Sequence, residues 1–250
     1  MRIGLKLTAA FLAVASLVGA VGYMAQHTSN PSLPASPAQT RQSTTSHPFP
    51  SASLAVSLML FVVALWVFLP SLRNGFVDYD DGHFIGPNSQ APSGMTWKGV
   101  GWAFRTPVAS NWHPLTLLSH MLDCELFGLK PWGHHLTNVL LHALDTLLAF
   151  WLAARLSHGR LAVAAFVGLL FGVHPMHVES VAWVSERKDV LHAGFYLAAA
   201  IAYTSYLERR SAGWLALAFA GFVLACLAKG TAVSFPLVMV LMDFWERRPL

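Results

Sequence analysis

The sequence predicts an all-α fold: a polytopic bundle of membrane helices with a long polar loop on its outer side. Three observations predict it. The 250 residues are 55% hydrophobic and only 11% charged, against about 25% charged in soluble domains, too little to cover a water-facing surface. Apolar runs recur at close to the ~20 residues that a membrane-crossing helix needs. The basic residues fall in short clusters between those runs, which is the positive-inside pattern. The net charge of +4 therefore speaks of membrane topology. The chain carries no nucleic-acid-binding motif.

Taken in order, residues 7–23 are apolar and follow Arg2 and Lys6, so residues 1–26 read as a signal or anchor segment. Residues 27–52 are rich in Ser, Thr, Pro and Gln without an apolar period and read as a disordered linker. A membrane domain then occupies 53–250. Its first apolar run, 53–70, ends at Pro70. The segment 71–132 mixes acids, prolines and tryptophans and forms the long loop. Further apolar runs lie near 136–154, 161–176, 190–207, 213–228 and 231–245. The last is short enough to be tilted or re-entrant.

Arg155 with Arg160, Arg209 with Arg210, and Arg247 with Arg248 mark three short loops. Placing all three in the cytoplasm puts two helices between each successive pair. Residues 71–132, 177–189 and the neighbourhood of Lys229 then face outward. A spanning 7–23 with its amino terminus inside would reverse this, and three basic loops outweigh it. The expected location is a multi-pass inner (plasma) membrane, with the chemistry on the non-cytoplasmic side. Cys124 falls in the loop and Cys226 in an apolar run, so no disulfide is expected between them.

Two segments carry polar residues at helical spacing. His135, Asn138, His142 and Asp145 share one face of the 136–154 run. Polar groups in hydrocarbon turn to a bundle interior or a watery cavity, so this face is either inter-helix hydrogen bonding or a substrate-cavity wall. In the loop, Pro114 opens a helix over 114–127. His113, Thr116, His120 and Asp123 lie on one side of it and Leu115, Leu118, Leu122 and Leu126 on the other. That pattern predicts an amphipathic helix at the membrane surface.

The loop begins Asp78-Tyr79-Asp80-Asp81. Close carboxylates raise one another's pKa and suit general-base work. Asp78-x-Asp80 also resembles the acidic motif with which many glycosyltransferases hold a divalent cation; acids are equally ordinary in exposed loops. The connection near 174–189 carries His174-Pro175-Met176-His177-Val178-Glu179 and Glu186-Arg187-Lys188-Asp189. His174 and His177 are spaced as a metal pair that lacks further ligands, with Glu179 a candidate third. The second string is either a solvated charged turn or, since outer loops are usually poor in cations, a phosphate-binding pair made of Arg187 and Lys188.

Together these strings resemble a family. NWHPLTLLSHMLDCELFGLKPWGHHLTNVLLHAL (111–144), LLFGVHPMHVESVAWVSERKDVL (169–191) and DYDDGHFI (78–85) with Asn88 are similar, in order, to the bacterial relatives of the transmembrane and TPR-containing O-mannosyltransferases. The resemblance runs from about 71 to 248. It implies a GT-C-type membrane glycosyltransferase. Such an enzyme moves a sugar, here mannose, from a polyprenyl-phosphate donor to a protein hydroxyl. It implies catalytic acids at Asp80 and Asp81, with Asp80 the base. Its partners are the membrane lipid, the lipid-linked sugar and an acceptor protein.

A phosphate leaving group needs a stabilising cation rather than a general acid, and a glycosidase would need two flanking carboxylates. The scheme is therefore inverting. Asp80 takes the proton, Asp81 orients the acceptor or a metal, and Arg187 or Lys188 meets the phosphate. His113, Glu179, His174 and His177 help to form the pocket. The chain departs from the family in lacking a 34-residue repeat, in Gly230 after Lys229 and in Glu246 after Trp245, and reads as an amino-terminal part. An inactive anchor or scaffold is the alternative reading, and a transporter or metal-handling protein using the histidines a third.

Overall fold

A computed structural model of the chain describes residues 51–87 and 89–246. The amino-terminal apolar segment, most of the linker, Asn88, Arg247 and Arg248 lie outside the described residues. Among those described, the secondary structure is helical throughout, relieved only by a two-residue bridge between Val108 and Asn111.

Helix α1 (Ser51–Phe68) continues through a 3-10 turn, Leu69–Arg73, where Pro70 interrupts the α ladder. The loop then forms three helices: α2 (Asp81–Ile85), α3 (Trp97–Arg105) and α4 (Pro114–Phe127). Thr96 caps α3 by accepting the Gly99 N–H at 3.1 Å. Helix α5 (Pro131–Leu156) is the longest, and α6 (Leu161–Val173) returns beside it. α6 stops because His174 precedes Pro175 and is held extended, at φ −65° and ψ 131°. A short α7 (His177–Ala182) and a 3-10 turn lead into α8 (Arg187–Arg209). Then follow α9 (Ala212–Ala228), a further 3-10 turn over Gly230–Ser234, and α10 (Phe235–Trp245).

Three of these stretches are long and apolar enough to cross a membrane: Ser51–Arg73, Pro131–Leu156 and Val184–Arg209. The helices Leu161–Val173 and Ala212–Ala228, and the stretch Gly230–Trp245, are apolar but shorter. The packing inverts that of a soluble protein. Leu54, Leu58, Phe166, Leu217, Phe219 and Phe244 are exposed, whereas His134, His135, Asn138, His142 and Asp145 of α5 are all buried. Apolar side chains face outward, where lipid would take the place of a core partner, and the polar ones face in.

The apolar interior has three parts. One joins α1, α5 and α6 through Leu60, Phe150 and Leu169. A second joins α8, α9 and α10 through Ala199, Ala218 and Phe235. The third lies under the loop, where Phe84, Leu117, Met121 and Val184 pack together. Arg155 pairs with Glu208 at 3.4 Å, and Trp245 donates to the Leu156 carbonyl at 2.9 Å. The turns after α5 and α8 and the end of α10 therefore share one end of the bundle. The loop helices and Lys188 occupy the other, which is the arrangement that the basic clusters predict.

Helix pairs approach closely at glycine. A Cβ on Gly221 of α9 would lie 3.2 Å from the Cα of Ala199 on α8, and one on Gly168 of α6 would lie 2.8 Å from Leu60 Cδ1. The first contact is with backbone, which cannot rotate away. Gly221→Leu should therefore lower stability by about 1–3 kcal/mol, the usual cost of overpacking. The check is a lower melting temperature of the detergent-solubilised variant, set against the milder Gly221→Ala.

Candidate functional site

At the loop end of the bundle, two adjacent acids do different things. Asp81 is buried. Its Oδ2 accepts the Val77 N–H at 2.8 Å, and its Oδ1 accepts the Ser185 N–H at 2.9 Å. One carboxylate thus ties the first loop to the turn before α8. Asp80 stands just ahead of α2, half-buried, and among the described residues no hydrogen bond engages its carboxylate. Asp78 and Tyr79 are exposed, and the Tyr79 ring lies 5.9 Å from that of Trp183.

Behind the acids lies a group of rings. Phe84 of α2 is wholly buried and stacks on His113 with centroids 5.2 Å apart. Its other contacts include His120, at 5.5 Å, and the Lys188 ammonium, 5.7 Å from the ring centroid. His113 is buried, and among the described residues its Nε2 has no hydrogen-bond partner. Burial first, then the charges of Lys188 and Lys229, pull its pKa from 6.5 down to about 4. His120 is held well below its ordinary value chiefly by burial, then by Arg187. Both imidazoles are neutral at pH 7.

Arg187 corrects an expectation. The sequence offers it as a phosphate-facing cation on an outer turn, but its side chain is fully buried. Its Nη2 donates to Asp123 Oδ2 at 2.6 Å and to the His134 carbonyl at 2.8 Å. Its Nη1 donates to Ser119 at 2.8 Å, and its Nε donates to Asn138 Oδ1. The guanidinium is spent on α4 and α5. Lys188, one residue on, is only partly buried, paired with Glu186 at 2.6 Å and turned toward Phe84.

The same network corrects the picture of the loop helix. α4 spans 114–127 as expected, but its polar stripe of His113, Thr116, His120 and Asp123 is buried against the bundle, while Leu122 and Leu126 are exposed. Thr116 donates to the Ala228 carbonyl at 2.9 Å, and Thr137 of α5 donates to Asp123 Oδ1 at 2.8 Å. The polar face of α5 is likewise inter-helix contact rather than cavity wall. Asn138 donates to the Trp183 carbonyl at 2.9 Å, and His142 Nε2 donates to the Gly172 carbonyl at 3.2 Å.

His174 stays within its own turn, and His177 packs back on the bundle. His174 Nδ1 accepts the Met176 N–H at 3.2 Å, and the His177 ring packs on Phe171 and His142. Glu179 is exposed. Among the described residues no three His, Cys, Asp or Glu side chains come together as a metal-ligand set. Cys124 and Cys226 are free thiols, and burial raises that of Cys124 to about 11.

Sequence reasoning gave Phe84 and Lys229 no role, and singled out Asp189 only as a member of the 186–189 string. Asp189 pairs with Lys229, and Ser180 donates to its other oxygen at 3.1 Å. A lone lysine closing an apolar run was the available signal for Lys229.

These features define an all-helical membrane protein with a polar site at one end, and sequence relatives place it further. The chain is related to proteins named as O-mannosyl-transferases. It is 35% identical over 190 residues to protein O-mannosyl-transferase Tmtc1 of Drosophila melanogaster, covering 72% of this chain and 22% of that protein. It is 36% identical over 198 residues to Tmtc2 of the same organism, covering 72% and 21%. With TMTC3 of Homo sapiens it shares 34% identity over 165 residues, covering 62% and 18%. The chain thus spans about a fifth of the length of the curated relatives it matches. No family model matches it, and no solved structure does.

Two outcomes follow. Arg187→Met strands the buried Asp123 and should cost about 3–5 kcal/mol, whereas Arg187→Met with Asp123→Leu should cost less; thermal denaturation in detergent checks both. His113 is the second case. Its pKa is lower folded than unfolded, so the unfolded chain binds more protons between pH 6.5 and about 4. Stability should therefore fall on acidification through that window, and His113→Gln should flatten the dependence of melting temperature on pH.

Proposed function

We propose that this chain forms the catalytic loop end of an inverting membrane glycosyltransferase. It would transfer mannose from a polyprenyl-phosphate donor to a protein hydroxyl on the non-cytoplasmic side of the plasma membrane. The observation that carries the reading is the unequal state of the two acids. Asp81 is committed to the fold, and Asp80 keeps a carboxylate that no described residue engages. A base must have its lone pairs available to an incoming hydroxyl. The names of the relatives support a transferase and a protein acceptor.

In this mechanism the acceptor hydroxyl donates its proton to Asp80 as its oxygen attacks the anomeric carbon. The new C–O bond forms as the bond from that carbon to the donor phosphate breaks. The phosphate oxygen leaves with the electron pair, so the sugar inverts. No acid has to protonate it, because a phosphate ester is a weak base at neutral pH. Lys188 stabilises the growing charge. Asp81 acts one step removed, by holding the Val77 amide and the turn before α8, and with them the positions of Asp80 and Lys188. Arg187 takes no part in binding the donor.

The two acids should therefore fail differently. Asp80→Asn should lower transfer from labelled polyprenyl-phosphate-mannose by about 10²–10⁴-fold, the usual worth of a general base, with the melting temperature unchanged. Asp81→Asn should lower the melting temperature as well. Equal transfer by Asp80→Asn and the parent chain sinks the assignment, and a product of retained anomeric configuration sinks the inverting scheme. Absence of transfer by the parent chain favours the scaffold reading.

A further inference from the structure

The site has a second lysine that the proposed chemistry leaves without a role. Lys229 closes α9, where the backbone turns extended at φ −155° and ψ 130°. The Thr116 hydroxyl holds the carbonyl of the preceding residue, Ala228. The end of α9 is thereby docked on the first turn of α4, which begins directly after His113. Lys188 reaches the same place from α8, across the Phe84 ring that stacks on His113.

The Lys229 side chain is aimed. Ser180 fixes one oxygen of Asp189, and the other oxygen holds the Lys229 ammonium. Lysine and aspartate are 31% and 28% exposed as side chains. A pair so open to solvent contributes little to stability, which leaves orientation as its use. An ammonium has three N–H donors, so one carboxylate does not exhaust it. Just before that first turn of α4 sits His113, nine-tenths and more buried, with an Nε2 that no described residue engages.

We propose that Lys229 is the second arm of a phosphate subsite, and that it and Lys188 take the phosphate of a lipid-linked donor between them beside His113 Nε2. This rests on the transferase reading above and adds a residue to it. The donor diester carries one negative charge, and the departing monoester gains a second. Two ammonium groups placed in advance favour the second state over the first, which lowers the barrier as well as binding the donor. Asp189 serves as a positioning residue: its loss relaxes the aim of the ammonium and leaves its charge at the subsite.

The test is binding of polyprenyl phosphate, and of the corresponding phosphate-free polyprenol, to the purified full chain in detergent. Lys229→Met should weaken polyprenyl phosphate at least about tenfold (about 1.4 kcal/mol) and leave polyprenol binding unchanged. Lys229→Arg and Asp189→Asn should both keep phosphate binding. Since Lys229→Met also breaks the pair with Asp189, the double variant Lys229→Met, Asp189→Asn controls for a stranded carboxylate and should bind as weakly as Lys229→Met alone. Competition by inorganic phosphate that disappears in Lys229→Met supports the subsite with the free anion as its occupant. The proposal is overturned if Lys229→Met binds as the parent does, or if Asp189→Asn loses as much as Lys229→Met, since Lys229 then counts only as half of an ion pair. A parent chain that binds the phosphate no better than the alcohol overturns both the subsite and the donor reading beneath it.

Discussion

The buried guanidinium of Arg187 holds the loop end of the molecule together. It reaches Asp123 and Ser119 on α4, and Asn138 and the His134 carbonyl on α5, from the first residue of α8. Two consecutive helices and a third from later in the chain meet on one planar, permanently charged group. A charge out of contact with water is tolerable only when it is paired and hydrogen-bonded, so the geometry of that end is fixed within narrow bounds. Lys188 and Asp189 follow Arg187 in the same helical turn, and their placement is inherited from it.

The polar-inside packing extends the same logic along the bundle. Histidine and asparagine on α5 use their side chains to bind carbonyls on neighbouring segments. In lipid such bonds, with close glycine contacts, do the joining that the hydrophobic effect does in water. Leu122 and Leu126 of α4, Phe219 of α9, and Phe244 and Trp245 of α10 are left facing out, where a bilayer is the fitting solvent.

Much of this was legible in the sequence. Apolar length and basic spacing give the helices and the loops that share an end, and Pro114 marks the start of α4 to the residue. Helical periodicity finds the polar stripes of α4 and α5, but periodicity says which residues share a face and not what that face meets. Hence α4 reads as an amphipathic helix at the membrane surface, and only the fold shows its polar side turned onto the bundle. Arg187 and Lys188 are indistinguishable as text. Only the hundred-degree turn between successive helical residues sends one into the interior and the other toward Phe84. Lys229 was illegible as a site residue because its partner Asp189 lies 40 residues away, and Thr116, which holds the adjoining Ala228 carbonyl, lies 112 residues from Ala228.

The adjacent acids of the first loop show how little a shared motif says about shared duty. Asp81 spans two loops that lie 104 residues apart in the chain, and it works as a fastener whose value is mechanical. Beside it, no hydrogen bond among the described residues engages the Asp80 carboxylate. A doublet written as two identical letters is thus one tied group and one untied group. The tied one sets where its neighbour stands, so a designer who replaces it must keep both of its bonds for the neighbouring carboxylate to stay in place.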